Sequence, residues 1–261
     1  MPDIHPTALV HPDATLHDTV AVGPYCIIDA DVTIGEHTRL LAHVHLAGPL
    51  TLGKRNTLHP FVALGQPPQD HKYDPNLPGA GIQIGDDNHL REGVTIHRAT
   101  GDRPTTVGHR NMFMANAHAA HDCVVGDDCQ LANGALLAGH VTLGHRVVMG
   151  GNAGIGQFVR VGRLCMISGA EGASRDVPPF CILHPTHRVC GLNLVGLRRA
   201  GLRNSIPPLR QAFDLLYRRG HPTPQAVTLI RQQLPHDPAC QELADFVEAA
   251  PRGITQYGEY K

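Results

Sequence analysis

Residues 107–173, VGHRNMFMANAHAAHDCVVGDDCQLANGALLAGHVTLGHRVVMGGNAGIGQFVRVGRLCMISGAEGA, carry an apolar side chain at every sixth position, from Val107 through Phe113, Leu131 and Ile155 to Ala173. A period of six fits neither the 3.6-residue turn of an amphipathic helix nor the simple alternation of a strand. It fits short strands joined by tight corners around a prism, with one apolar residue of each hexad pointing inward. Working outward, the same period runs unbroken from Ile4 to Leu64, and it reappears at Ile84, Leu90 and Ile96. All 26 positions are apolar in a chain that is 42% apolar overall. Chance would do this on the order of once in ten billion.

The number of faces comes from glycine. Gly108, Gly126, Gly144 and Gly162 recur every 18 residues, as do Gly35 and Gly53. If these glycines supply corners with positive φ, three hexads close one coil. The hexads then make roughly nine coils, about 43 Å tall at the usual spacing of stacked strands. Two interruptions, 66–83 and 97–106, project as loops, favoured places for function on a rigid scaffold.

The composition agrees with such a prism. The 261 residues include 28 Gly and 21 Pro, only 4% aromatic residues and no Trp, as expected of a chain that turns often around a narrow aliphatic interior. With 22 basic against 23 acidic residues, no global charge favours nucleic acid or an anionic membrane. Seven cysteines without CxxC pairs, and an N-terminus lacking signal-peptide order, suggest a reduced, cytoplasmic protein. No apolar run approaches the ~20 residues of a membrane span.

Beyond Ala173 the period stops, and DVPPF at 176–180 with Pro185 marks a boundary. The expected organisation is a β-helix over 1–175, a connecting segment at 176–191 and a small helical domain over 192–261. Within that domain Ser205 is placed to cap a helix running from Pro207 to Arg219 and stopped by Gly220. Further starts are expected at Thr223 with Pro224 and at Asp237 with Pro238.

Four segments carry a family likeness: NAHAAHDCVVGDDCQLANGALLAGHVTLG (116–144), PPQDHKY (67–73), TIHRAT (95–100) and CGLNLVGLRRAG (190–201). Together they resemble bacterial UDP-N-acetylglucosamine acyltransferases, which open lipid A biosynthesis, and the likeness extends through essentially the whole chain. It implies a left-handed parallel β-helix, a homotrimer with active sites between subunits, and transfer of a 3-hydroxyacyl group to a UDP-linked amino sugar. The implied donor is the phosphopantetheine thioester of acyl carrier protein, with no further cofactor and no metal.

Attack of a sugar hydroxyl on a thioester needs a base and a stabiliser for the oxyanion. His121, Gly139 and Gln157 are spaced by 18, so they stack on adjacent coils, as do Asp122 and His140. The resemblance makes His121 the general base, Asp122 its orienter and the Gly139 amide an oxyanion donor. It assigns sugar and acyl contacts to His118 and His140, substrate contacts across the subunit interface to Gln69, Asp70 and Lys72, and nucleotide contacts to Asn193 and Arg199. Gly169 matches the position where family members vary acyl length. The segment 186–219 holds seven arginines against Asp214 alone, a basic patch suited to an acidic carrier protein. The chain departs from the family pattern at Gly156, where a histidine is usual, at Val195, where an acidic residue is usual, and at Ala200, where a basic one is usual.

A competing expectation is metal-based. His118, His140 and His145 have spacings that resemble the zinc ligands of γ-class carbonic anhydrases, which share the hexapeptide prism, and three histidines with an open position would activate water.

Overall fold

In a computed structural model, which describes residues 1–184 and 186–259, the chain forms a left-handed parallel β-helix closed at one end by helices. Pro185, the expected boundary mark, lies outside the described residues. Most strands are only two or three residues long, and they stack into sheets of 11, 9 and 8 strands, one sheet per face of the prism. The register steps by 18, as in Leu136↔Gly154 and Val148↔Met166. Where a loop intervenes it stretches, pairing Thr57 with His89 and Thr95 with His118.

The periodic residues fill the axis: Ile28, Leu46, Leu64, Leu90, Phe113 and Leu137 are fully buried. A second inward row, two positions earlier in each hexad, is made of smaller residues such as Cys26, Ala117, Cys123 and Ala135. Large and smaller residues thus alternate along most of the bore, with Leu50 and Ile82 the larger members of the second row. Each large aliphatic residue contributes about 1.5–3 kcal/mol on burial. Within this core Asn56, Asn88 and Asn111 stack, and their side-chain oxygens accept the backbone N–H groups of Asn88, Asn111 and Cys129 in turn.

The corners correct one expectation. Gly108, Gly126, Gly144 and Gly162 are not in the left-handed region; the positive φ angles fall two residues later, on Arg110, Asp128, Arg146 and Leu164. The glycines recur for clearance. A Cβ at Gly126 would lie 2.9 Å from His145 N, and one at Gly144 would lie 2.5 Å from Arg163 N. The coils stack too closely there for any side chain.

The last coil runs to Ala173. Strand Cys181–Leu183 then continues one sheet and pairs antiparallel with Val189–Leu192. Helices α1 (Leu194–Arg199), α2 (Ile206–Tyr217), α3 (Thr223–Gln233) and α4 (Pro238–Glu248) follow. Asp237 caps α4 by accepting from Cys240 N–H. Ser205 makes no such bond to α2; it ends a 3-10 turn, Arg203–Ser205, that leads directly into the helix. The helices share a core of Leu197, Leu209, Ile230 and Leu243 with Phe180 and Leu164 from the prism. Arg163 binds Glu242 at 2.7 Å and Arg160 lies over the Phe246 ring, fastening the cap. Among the described residues no helix is long and apolar enough to cross a membrane. All seven cysteines are free thiols; burial pushes Cys123, Cys129 and Cys165 up to about 12.

Candidate active site

The corner after strand His118–Ala119 presents His121 and Asp122. Asp122 takes the left-handed corner conformation, φ 61°, which aspartate tolerates better than most residues. This turns its carboxylate back onto its neighbour, and His121 Nδ1 lies 2.7 Å from Asp122 Oδ2. The loop that follows strand Thr95–His97 folds over the same carboxylate. The Thr100 hydroxyl donates to it at 2.6 Å, and the N–H groups of Thr100 and Gly101 donate at 3.1 and 3.3 Å. Burial raises the carboxyl, but the bonds from Thr100, His121 and Gly101 outweigh it and hold Asp122 below the usual carboxylate range. An ionised Asp122 fixes the proton of His121 on Nδ1 and leaves Nε2 as a lone-pair acceptor.

Nε2 faces the next coil. A Cβ built on Gly139 would lie 2.6 Å from His121 Cε1 and 2.7 Å from Nε2, so any side chain at 139 would displace the imidazole. Among the described residues the Gly139 N–H has no acceptor, while its carbonyl accepts from Phe158 N–H. His140 stands edge-on to His121, centroids 5.2 Å apart, and stacks on Phe158 at 4.6 Å. Its Nε2 is 3.6 Å from Asp122 Oδ2. Gln157 occupies the following coil of the corner, as the register places it.

His118, on the adjoining face, shares a 2.7 Å hydrogen bond with the Thr95 hydroxyl and packs edge-on against His97. Burial, with His118 and His121 nearby, pushes His97 down to about 4, so it is neutral at physiological pH. Burial likewise lowers His118. Buried Arg98 sends its guanidinium to the carbonyls of Gly65, Pro75 and Leu77, pinning the loop at 67–81.

Gln69, Asp70 and Lys72 are exposed in the pinned loop, where Asp70 accepts the Lys72 N–H. Gly169 is exposed on a different corner of the prism. Arg199 lines a groove of about 790 Å³ on another face, together with Val148, Met166, Leu192 and Val195. Asn193 borders that groove, but its amide is engaged: Oδ1 caps α1 through Gly196 N–H and Nδ2 donates to Leu164 O. Arg218 is engaged as well, with Asp214 and the rings of Phe213 and Tyr257.

The zinc expectation does not survive within the chain. His145 lies on the next corner, where its Nδ1 accepts from Asp127 N–H, so it does not meet His118 and His140. The one potential metal group among the described residues is His121, Asp122 and His140, with ligand atoms within 4.8 Å of one another. The bonds already made to Asp122 compete with an ion there.

Sequence reasoning missed Thr100, His97, Arg98 and Phe158. Phe158 had a usable signal, an aromatic residue one position after Gln157 on an exposed corner. Thr100 had none beyond membership of TIHRAT.

Comparison with known proteins sharpens the picture. Residues 176–255 match the family model described as Udp N-acetylglucosamine O-acyltransferase, Domain 2. The chain is 42% identical over 258 residues to an acyl-[acyl-carrier-protein]--UDP-N-acetylglucosamine O-acyltransferase of Thermodesulfovibrio yellowstonii, covering 97% of this chain and 99% of that one. Among solved structures, LpxA from Acinetobacter baumannii superposes with a TM-score of 0.93 at 38% identity, covering 97% of this chain and 99% of that one. The UDP-N-acetylglucosamine O-acyltransferase of Moraxella catarrhalis gives 0.93 at 36%, with the same coverage.

Proposed function

The chain belongs to the UDP-N-acetylglucosamine O-acyltransferase family, and from that premise we propose that it transfers an acyl chain from acyl carrier protein to UDP-N-acetylglucosamine, the first step of lipid A biosynthesis. The observation that carries the chemistry is the His121 imidazole, tethered by Asp122 at 2.7 Å and lying against the bare backbone of Gly139.

On this reading Nε2 of His121 removes the proton from the sugar 3-hydroxyl as its oxygen attacks the thioester carbonyl. The imidazolium that forms is stabilised by ionised Asp122, and the tetrahedral oxyanion is met by the Gly139 N–H. Collapse breaks the C–S bond. The departing thiolate of the carrier takes its proton from His121, which restores the neutral ring. His118, His140 and Gln157 flank the acceptor sugar.

Gly169, Asn193 and Arg199 do not share the His121 corner within one chain, whereas the loop of Gln69, Asp70 and Lys72 leaves the prism at that same corner; the distance of the first three supports a homotrimer whose neighbouring subunits complete each site. The donor is a 3-hydroxyacyl carrier, and the enzyme works in the cytoplasm without a metal. The acceptor bears either a 3-hydroxyl or, in a related substrate, a 3-amine.

The test offers purified protein UDP-N-acetylglucosamine and its 3-amino analogue with a ladder of 3-hydroxyacyl carriers, and reads product masses. His121→Ala should lose transfer by ~10² to 10⁴-fold while keeping its melting temperature, and chelation should leave the rate unchanged. Stoichiometric zinc whose removal abolishes activity would replace this mechanism.

A further inference from the structure

One coil beyond Gln157 the corner carries Ser174 and Arg175, at the rim of a polar pocket of about 260 Å³ completed by Thr186, His187, Arg188 and Gln256. Its closeness to the proposed active corner is fixed by contacts. The Arg252 guanidinium donates to the carbonyls of both Gln157 and Ser174, at 3.2 and 3.1 Å. A Cβ on Gly156 would lie 3.1 Å from Ala173 O and 3.6 Å from the Ser174 Cα.

The pocket is built for negative charge. Among the described residues the exposed Arg175 guanidinium has no hydrogen bond or ion pair, and Arg188 makes one long bond, 3.4 Å, to Tyr257 O. The nearby acids are already engaged: buried Asp176 holds Arg160 at 2.7 Å, and Glu171 accepts the His187 N–H at 2.7 Å. His187 Nδ1 lies 2.9 Å from both the Gly172 N–H and the Glu171 carboxylate. The Ser174 and Thr186 hydroxyls add donors. Unpaired guanidinium groups and hydroxyls around a small concavity match the oxygens of a phosphate ester.

We infer that this pocket is a phosphate-binding subsite of the acyl-transfer site. The inference rests on the proposed function, which brings two phosphate esters to this corner: the diphosphate of the nucleotide sugar and the phosphodiester of the carrier's phosphopantetheine arm. Three strand steps, ~14 Å along the axis, separate the His121 coil from the Arg175 coil, and either molecule spans that length. The subsite is separate from Arg199, which lines a groove on another face.

The full-length protein is titrated calorimetrically with UDP, uridine, 4′-phosphopantetheine and pantetheine, before and after the double substitution Arg175→Gln with Arg188→Gln. One phosphorylated compound should lose at least ~10-fold in affinity, the worth of one charge-assisted bond, while its dephosphorylated counterpart keeps its own. Loss for UDP assigns the nucleotide as the source, and loss for phosphopantetheine assigns the carrier. Unchanged affinity for both phosphorylated compounds, equal loss for the dephosphorylated ones, or no binding of either phosphorylated compound to the unsubstituted protein would overturn the subsite. If the unsubstituted protein transfers no acyl group yet the phosphate-dependent loss is seen, the proposed function fails and the subsite stands.

Discussion

A single methyl group at position 139 would test the site more sharply than loss of the histidine itself. Gly139 is not in the left-handed region, so alanine fits its backbone, but the new Cβ would press on Cε1 and Nε2 of His121. The ring would swing out and its bond to Asp122 would break. Gly139→Ala should therefore lower kcat by roughly 10²-fold or more with the fold intact, as read by steady-state kinetics beside a thermal melt. A wild-type kcat would mean that the imidazole need not stay where it lies. The trio His121, Asp122 and Gly139 was legible in the sequence because a register of 18 turns spacing into contact. Thr100 was not, because it reaches Asp122 only through the path of an irregular loop, and no period encodes that path. His97 was hidden for a related reason: its burial depends on which way the strand faces where the repeat breaks.

At the scale of the coil, the period of six was readable because every face needs one large apolar residue, whatever its identity. The reason for the glycines was not readable. Sequence spacing cannot distinguish a glycine chosen for positive φ from one chosen for clearance, and here the positive φ falls on residues with side chains, among them Arg110, Asp122, His140 and Phe158. Clearance makes its own prediction. Gly144→Ala would drive a methyl group into the Arg163 backbone and should destabilise by about 1–3 kcal/mol. Gly191→Ala, where a Cβ would meet nothing within 4 Å, should change stability by no more than ~0.5 kcal/mol. Urea unfolding midpoints of the two variants make the comparison, and equal midpoints would remove the clearance argument. The helix starts show the same limit: Asp237 caps through its side chain as its sequence suggests, whereas Ser205 is absorbed into the preceding 3-10 turn.

At the scale of the whole molecule, one prism is too thin to assemble the proposed site, because its corners face apart. Gly169 therefore bears on catalysis only if a neighbouring subunit lays its own His121 corner alongside. A side chain there has room, since the nearest atom to a Cβ would be Gly151 O at 3.4 Å. Gly169→Met should shorten the preferred acyl chain without loss of stability, and an unchanged donor profile would remove Gly169 from the groove.

The two ends of the prism are unlike. The helical cap is fastened by Arg163 to Glu242 and by Arg160 against Phe246, whereas the first coil has Leu9 66% and Ile4 39% exposed and, among the described residues, no element laid over them. A chain whose coils touch only their neighbours has no other way to share a load. Under tension, the molecule would unwind from its first residues coil by coil at low force. Stretched between its two ends, it would lose the open coils before the fastened cap, so the order of unwinding runs from first coil to last.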